Sequence, residues 1–180
     1  MTDRIVITGA PASGKTACFE RLKQDTRFEG FEFFDELARR ILTEQPSFRS
    51  DWPAFHRAIY RRQVERETKA AGRSFVTDRG TVDAFAFHPE AMADAGTSLA
   101  REYARYTLVV QLGTAAALGE AYYHCDDIRN ETIGQALEIE AAIKRVWQGH
   151  PRYYFVEAQI DFEAKFHSLV TRIVDNLVER

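Results

Sequence analysis

The chain has 180 residues with a formal net charge of −3, and 45% of its residues are hydrophobic and 28% charged. That length suits one domain with a sizeable core, at most extended by a small lid, and is too short for two ordinary domains. The composition excludes a disordered or repeat-built protein, and the two cysteines, Cys18 and Cys125, make neither a disulfide framework nor a zinc pattern. No apolar run approaches a membrane span, and the first strand begins too early to leave room for a signal peptide, so a cytoplasmic protein is expected.

Arg4 to Thr8 reads as a β-strand around the apolar run Ile5-Val6-Ile7. It runs into Gly9-Ala10-Pro11-Ala12-Ser13-Gly14-Lys15-Thr16, which fits the phosphate-loop pattern G-x-x-x-x-G-K-[ST] at every fixed position. Gly9 and Gly14 allow a tight turn whose N–H groups converge on nucleotide phosphates. Lys15 is expected to face the phosphates rather than the core and to reach the β- and γ-phosphates, with the Thr16 hydroxyl on a Mg²⁺ ion. The residues from Thr16 to Lys23, Ala17 among them, read as a helix whose N-terminus adds its positive dipole end to the same anion site, with Cys18 on its inner side.

Phe31 to Phe34 is predicted as the second strand, followed by helical spacing from Asp35 to Leu42. Gln45 to Asp51 reads as a loop. A helix follows up to about Ala71, with Asp51 as its cap and Pro53 in its first turn, and Gly72 ends it. Ser74 to Thr77 is the third strand, with Asp78-Arg79-Gly80 at its carboxyl end, where open α/β sheets place ligand-binding residues. Helical pieces around Val82 to Phe87 and Leu99 to Tyr103 lead to the fourth strand, Thr107 to Leu112.

Gly113 to Arg129 has the least periodicity, and a lid is expected over residues 113–131. Thr132-x-x-Gln135 has the form of a capping box before a long helix marked by Ala136, Ile139, Ile143, Val146 and Trp147. Pro151 stops it. Tyr153 to Val156 is the fifth strand, and Phe162, Phe166, Leu169, Ile173 and Leu177 mark a last amphipathic helix. This alternation predicts an α/β protein with a three-layer parallel sheet of about five strands.

Phosphoryl transfer asks a protein for positioning, Mg²⁺ and positive charge. Asp78 is a candidate to hold a Mg²⁺-bound water or to accept a proton from a substrate hydroxyl. Arg79 is a candidate to pair with a phosphate or fix the acceptor, and Glu36 is the alternative base. Each has a plainer account: a turn with a surface ion pair for Asp78 and Arg79, and i, i+3 support between Glu36 and Arg39. Arg129 is the candidate lid arginine, the alternative being a solvated pair with Asp126 or Glu131. His88, His124 and His150 lack metal-ligand spacing. Ten Lys/Arg against five Asp/Glu between Arg39 and Arg79 suit either an anionic substrate or a solvated helix face.

Four segments together resemble the P-loop AAA-type ATPase/kinase family similar to the ribosylnicotinamide kinase domain of NAD-regulatory proteins. They are I-T-G-x-P-x-S-G-K-T at Ile7 to Thr16, E-x-A-R at Glu36 to Arg39, D-R-G-x-x-D at Asp78 to Asp83, and D-x-x-R-x-E at Asp126 to Glu131. Thr16 and Asp78 are the candidate Mg²⁺ ligands among these residues, and the resemblance implies a sheet order 2-3-1-4-5, ATP and Mg²⁺ at the loop, and a lid over the phosphates. It implies an acceptor near Glu36, Arg39, Asp78 and Arg79, and Asp83, which closes the third of these motifs, is a further substrate-binding candidate. The chain departs from the family in a lid with Arg129 alone and in the Ala-rich Gly113 to Gly119, a segment expected to meet the substrate.

The expected activity is transfer of the γ-phosphoryl of ATP to a hydroxyl on a nucleoside-like or other small acceptor. The alternative is an NTP-binding or NTP-hydrolysing regulator acting on a protein partner or an anionic membrane surface. A Ras-like GTPase is disfavoured because the chain has neither N-K-x-D nor D-x-x-G, and an AAA+ or transporter-type ATPase because the fourth strand ends in Gln-Leu-Gly instead of an acidic pair. Nucleic acid is not an expected partner, since the net charge is negative and no known binding module is present.

Overall fold

The structure, a computed structural model, describes residues 2–93, 95–123 and 131–178. Strands β1 (Arg4–Gly9), β2 (Glu32–Phe34), β3 (Phe75–Asp78), β4 (Leu108–Leu112) and β5 (Tyr153–Val156) form one parallel sheet in the order β2-β3-β1-β4-β5. β1, β3 and β4 lie inside the sheet and read as nearly continuous apolar runs because both of their faces are covered. The edge strands β2 and β5 are only half-buried over most of their length.

Side-chain alternation along β1 divides the core in two. Ile5 and Ile7 pack with Cys18, Phe19 and Leu22 of α1 (Lys15–Lys23) and with Phe166, Leu169 and Ile173 of α8 (Phe162–Val178). Val6 points to the other face, where it meets Phe75, Val109, Tyr106 and, from α7 (Ile133–Trp147), Ile143 and Trp147. The result is the expected three layers.

The crossover from β2 to β3 holds α2 (Leu37–Glu44), a 3-10 turn at Pro46–Ser50 and α3 (Trp52–Lys69). Gln45 to Asp51, expected as loop, thus contains a helical turn, which Pro46 can begin because it needs no backbone donor there. Asp51 caps α3 by accepting from the Ala54 N–H at 2.9 Å. Three short helices, α4 (Asp83–Phe87), α5 (Pro89–Ala93) and α6 (Leu99–Tyr103), connect β3 to β4. The capping box that opens α7 is complete: Thr132 Oγ1 accepts from Gln135 N, and the Gln135 side chain accepts from Thr132 N at 2.8 Å.

β1 sits between β3 and β4, while the chain leaves β1 to build first one side of the sheet and then the other. The carboxyl end of β1 is therefore the topological switch point, the position at which such sheets open a crevice.

Candidate active site

The chain turns sharply as β1 ends. A Cβ on Gly9 would lie 2.6 Å from Ser13 Oγ and 2.7 Å from the Leu112 carbonyl oxygen, so only glycine fits beneath the loop. Ala12 (φ 57°) and Gly14 (φ 75°) both take the left-handed conformation, and this alternation curves the backbone into an anion-binding concavity. The loop's carbonyls are tied away from that concavity. Ala10 O accepts from Ser13 N at 3.2 Å, Pro11 O from Thr114 Oγ1 at 2.5 Å, and Ala12 O from Ala115 N at 3.0 Å.

α1 begins directly behind the loop, and no side chain caps it. Its first-turn amides, at Lys15, Thr16 and Ala17, belong to residues lining a cleft of about 880 Å³. The same cleft is lined by Ala10, Pro11, Ala12, Ser13, Gly14, Glu36, Arg39 and Arg79, so most of the residues singled out in the sequence meet there. Gly9 lies buried below it. Ser13 Oγ is buried without a hydrogen-bond partner at the base of the loop.

Lys15 forms the cleft floor but is only 8% exposed, with Nζ 2.8 Å from Asp78 Oδ1. It borders the cleft, and it is also held by a buried carboxylate. Asp78 ends β3 and is 4% exposed. Burial pushes its carboxyl above the usual range, partly offset by Lys15, while Glu36 nearby adds to the rise.

Glu36, just past β2, is the N-terminal flank of α2 and faces the cleft. Burial alone would raise its pKa, but the charges of Lys15, Arg79 and Arg39 outweigh it and hold the carboxyl below its ordinary value. The two carboxylates are thus driven in opposite directions. Arg79 bridges Glu36 (Nε to Oε1, 3.3 Å) and Asp83 (Nη1 to Oδ1, 3.4 Å), and it also lies over the Phe87 ring at 5.2 Å. Burial opposes its charge, but Asp83, Glu36 and Asp78 together raise its pKa. Its backbone is left-handed at φ 68°, a strained state for a non-glycine residue.

That strain is held from behind. Arg79 O accepts from Thr77 Oγ1 at 2.8 Å and from Gln63 Nε2 at 3.3 Å, and Arg79 N donates to Ile7 O at 3.0 Å.

Two expectations need correction. Asp83 is 3% exposed and turned inward: its carboxylate accepts from Thr8 Oγ1, from Gly80 N at 2.9 Å and from Trp147 Nε1 at 3.3 Å, besides pairing with Arg79. It braces the turn after β3 and does not line the cleft. The Ala-rich Gly113 to Gly119 also supports the site from outside. Thr114 and Ala115 pin the phosphate loop, and Ala116 packs with Ala12, while Gly113 O accepts from the buried Lys165 Nζ at 2.6 Å.

Arg129 and the middle of the expected lid lie outside the described residues, as do His124 and Cys125. Arg49, Trp52, Leu42 and Thr43 line the cleft without having been singled out in the sequence. Leu42 and Thr43 come from the second half of α2, Arg49 from the 3-10 turn after it and Trp52 from the start of α3. Part of the basic run is paired along the surface: Arg62 and Arg40 with Glu44, Lys69 with Glu65, and Arg73 with Glu32.

A family model described as an AAA domain matches residues 4–165. Among solved structures, deoxyadenosine kinase from M. mycoides with products dCMP and a flexible dCDP bound is similar at a TM-score of 0.65 and 9% sequence identity, over 96% of this chain and 99% of that one. A second structure of deoxyadenosine kinase from M. mycoides, with bound dATP, gives 0.63 and 10%, over 94% and 98%. No curated protein matches the chain. At such identities the likeness carries the fold, a five-stranded parallel sheet of P-loop kinase type.

Proposed function

The chain belongs to the AAA domain family, and from that membership and the cleft we propose that it is an ATP-dependent kinase acting on a small hydroxyl-bearing acceptor. The observation that carries this reading is the convergence of an uncapped helix N-terminus, a left-handed loop, Lys15 and a cleft-facing Glu36–Arg79 pair on one crevice at the switch point.

The residues fit a nucleotide. The loop concavity and the first-turn amides of α1 would hold its phosphates, Lys15 would exchange part of its contact with Asp78 for them, and the exposed Thr16 hydroxyl with Asp78 would hold Mg²⁺. Among the described residues no cluster of three or more His, Cys, Asp or Glu could cage a metal, so such an ion would share its coordination with phosphates and water. ATP bound there supplies the γ-phosphoryl group, and Mg²⁺ offsets the charge on its oxygens.

Glu36 is the proposed base. It is open to the cleft, whereas Asp78 is buried beside Lys15. The acceptor oxygen forms a bond to the γ-phosphorus as the bond to the β–γ bridging oxygen breaks. That electron pair leaves on ADP, and the hydroxyl proton passes to Glu36. Arg79, fixed by its carboxylate pairs and its backbone clamp, would neutralise charge near the transferred group. The neighbouring deoxyadenosine kinase structures and the resemblance to ribosylnicotinamide kinase domains support a nucleoside-like acceptor.

The test is ADP release from Mg²⁺·ATP across nucleosides, nicotinamide riboside and small alcohols, with Glu36→Gln as control. The kinase reading expects release that depends on an acceptor and a phosphorylated product that matches it. Acceptor-independent release, stimulated by a protein partner or anionic vesicles, would replace it with the regulator. Among the described residues no helix is long and apolar enough to cross a membrane.

A further inference from the structure

Four cationic side chains among the described residues line the cleft: Lys15, Arg39, Arg49 and Arg79. Two are held by carboxylates, Lys15 by Asp78 and Arg79 by Glu36 and Asp83. Arg39 and Arg49 are exposed, and among the described residues neither has an ion-pair partner. The contrast lies within one helix. Arg40, adjacent to Arg39 but turned from the cleft, bonds Glu44 at 2.8 Å, and Arg62 on α3 closes on the same Glu44 at 2.5 Å. The outer face of α2 is neutralised by direct ion pairs, whereas on its cleft face Arg39 acts on the Glu36 carboxylate without pairing with it.

Two guanidinium groups without a direct ion pair on one concave wall keep their donors available to a ligand, in a cleft that Glu20, Glu36 and Glu131 also line. Each guanidinium offers a planar fork of donors that matches a carboxylate or phosphate in two-point contact. Beside them Trp52, 46% exposed, and Leu42 add apolar surface. A small apolar-and-cationic wall facing a phosphate loop suits a molecule that is flat or apolar in one part and anionic in another.

We propose that this wall is a subsite for an anionic group on the acceptor, a phosphate or a carboxylate carried apart from the hydroxyl that reacts, with Trp52 and Leu42 packing its ring or apolar part. The proposal deepens the kinase reading of the same cleft and rests on it. Glu36 then faces the reacting hydroxyl while Arg39 and Arg49 fix the far end, so the acceptor is held at two points.

The test fills the phosphate loop first. Protein saturated with the Mg²⁺ complex of a non-hydrolysable ATP analogue is titrated calorimetrically with inorganic phosphate and, separately, with acetate. At least one anion should bind saturably, and in the Arg39→Gln/Arg49→Gln variant its Kd should rise at least tenfold, with the stronger anion identifying the group recognised. Because both arginines are exposed, the variant's thermal unfolding should match wild type. No saturable binding of either anion, or equal affinity in the variant, overturns the subsite. Arginines that instead served the nucleotide's own phosphates would give that negative result.

Matched acceptors provide the second arm: nucleosides against their 3′-monophosphates, and nicotinamide riboside against nicotinate riboside. The member bearing the added phosphate or carboxylate should have at least a tenfold higher kcat/KM in at least one pair, and that ratio should fall toward one in the double variant. Transfer to the members lacking that group with no such preference upholds the kinase and overturns the subsite. Failure of the analogue to bind removes both.

Discussion

Two acid–base clusters meet the carboxyl end of β3, and one of the two borders the cleft. On the α3 side, Glu67 accepts from Gln63 Nε2 at 2.5 Å, from Arg105 Nε and Nη2 at 2.9 and 2.7 Å, and from the Tyr106 hydroxyl at 2.8 Å. Glu102 beside it accepts from Tyr60 at 2.8 Å and from Thr97. Every bond ends on another protein group, which makes this cluster a brace. On the cleft side, Lys15, Glu36 and Arg79 have equally charged surroundings, but each borders open space. Charge and burial do not separate structure from function here; the direction in which the remaining hydrogen-bonding capacity points does.

The largest expected effect comes from breaking the cleft cluster at its floor. Lys15→Ala should lower turnover at least a thousandfold. It should also cost about 3 kcal/mol of stability, because Asp78 is left buried without its partner. This revises the view that Lys15 is free of the core. Urea unfolding checks it, and adding Asp78→Asn should restore most of the lost stability but none of the activity.

Glu36→Gln comes next. The side chain is partly exposed and borders the cleft, so kcat should fall about a hundredfold with stability nearly unchanged. Glu67→Gln should do the opposite: about 2 kcal/mol of stability lost through the unsatisfied Arg105 and Tyr106, and turnover at saturating substrate reduced only a few-fold. If Glu67→Gln damaged kcat as much as Glu36→Gln does, the division into site and brace would fail.

A further effect concerns pH. His56 stacks on Phe87 and lies 4.6 Å from the His88 ring, and burial, followed by the His88 and Arg79 charges, lowers its pKa from 6.5 to about 4. The unfolded chain therefore binds the proton more readily between those values. Its contribution to stability is present above pH 6.5 and is lost as pH falls toward 4. Thermal unfolding of His56→Gln should show a flatter pH dependence across that window.

Much of the fold was legible because its signals are local. The runs Ile5 to Ile7 and Thr107 to Leu112, the Asp51 cap, and the Thr132–Gln135 box each lie within a few residues, and the local backbone obeys them. The phosphate loop is legible for the same reason, since its anion site is backbone geometry fixed by Gly9, Gly14 and the following helix. The brace was not: Gln63 with Thr77, Glu67 with Arg105 and Asp83 with Trp147 are joined by the packing of distant elements. Arg49 escaped notice because a 3-10 turn between two helices carries no periodicity to say which wall it faces, and Trp52 because helical spacing marks a helix face without saying what that face borders. Asp83 was misassigned by its motif, whose spacing serves the turn and not the cleft.

Calorimetric titration of a non-hydrolysable ATP analogue with Mg²⁺ into the wild-type protein and Lys15→Ala addresses the central claim most directly, that the loop and Lys15 form a nucleotide-phosphate site. The account predicts one saturable site in the wild type, with affinity at least tenfold weaker in the variant, while Glu67→Gln binds as wild type does. Equal affinity for wild type and Lys15→Ala, or no binding to either, would contradict it.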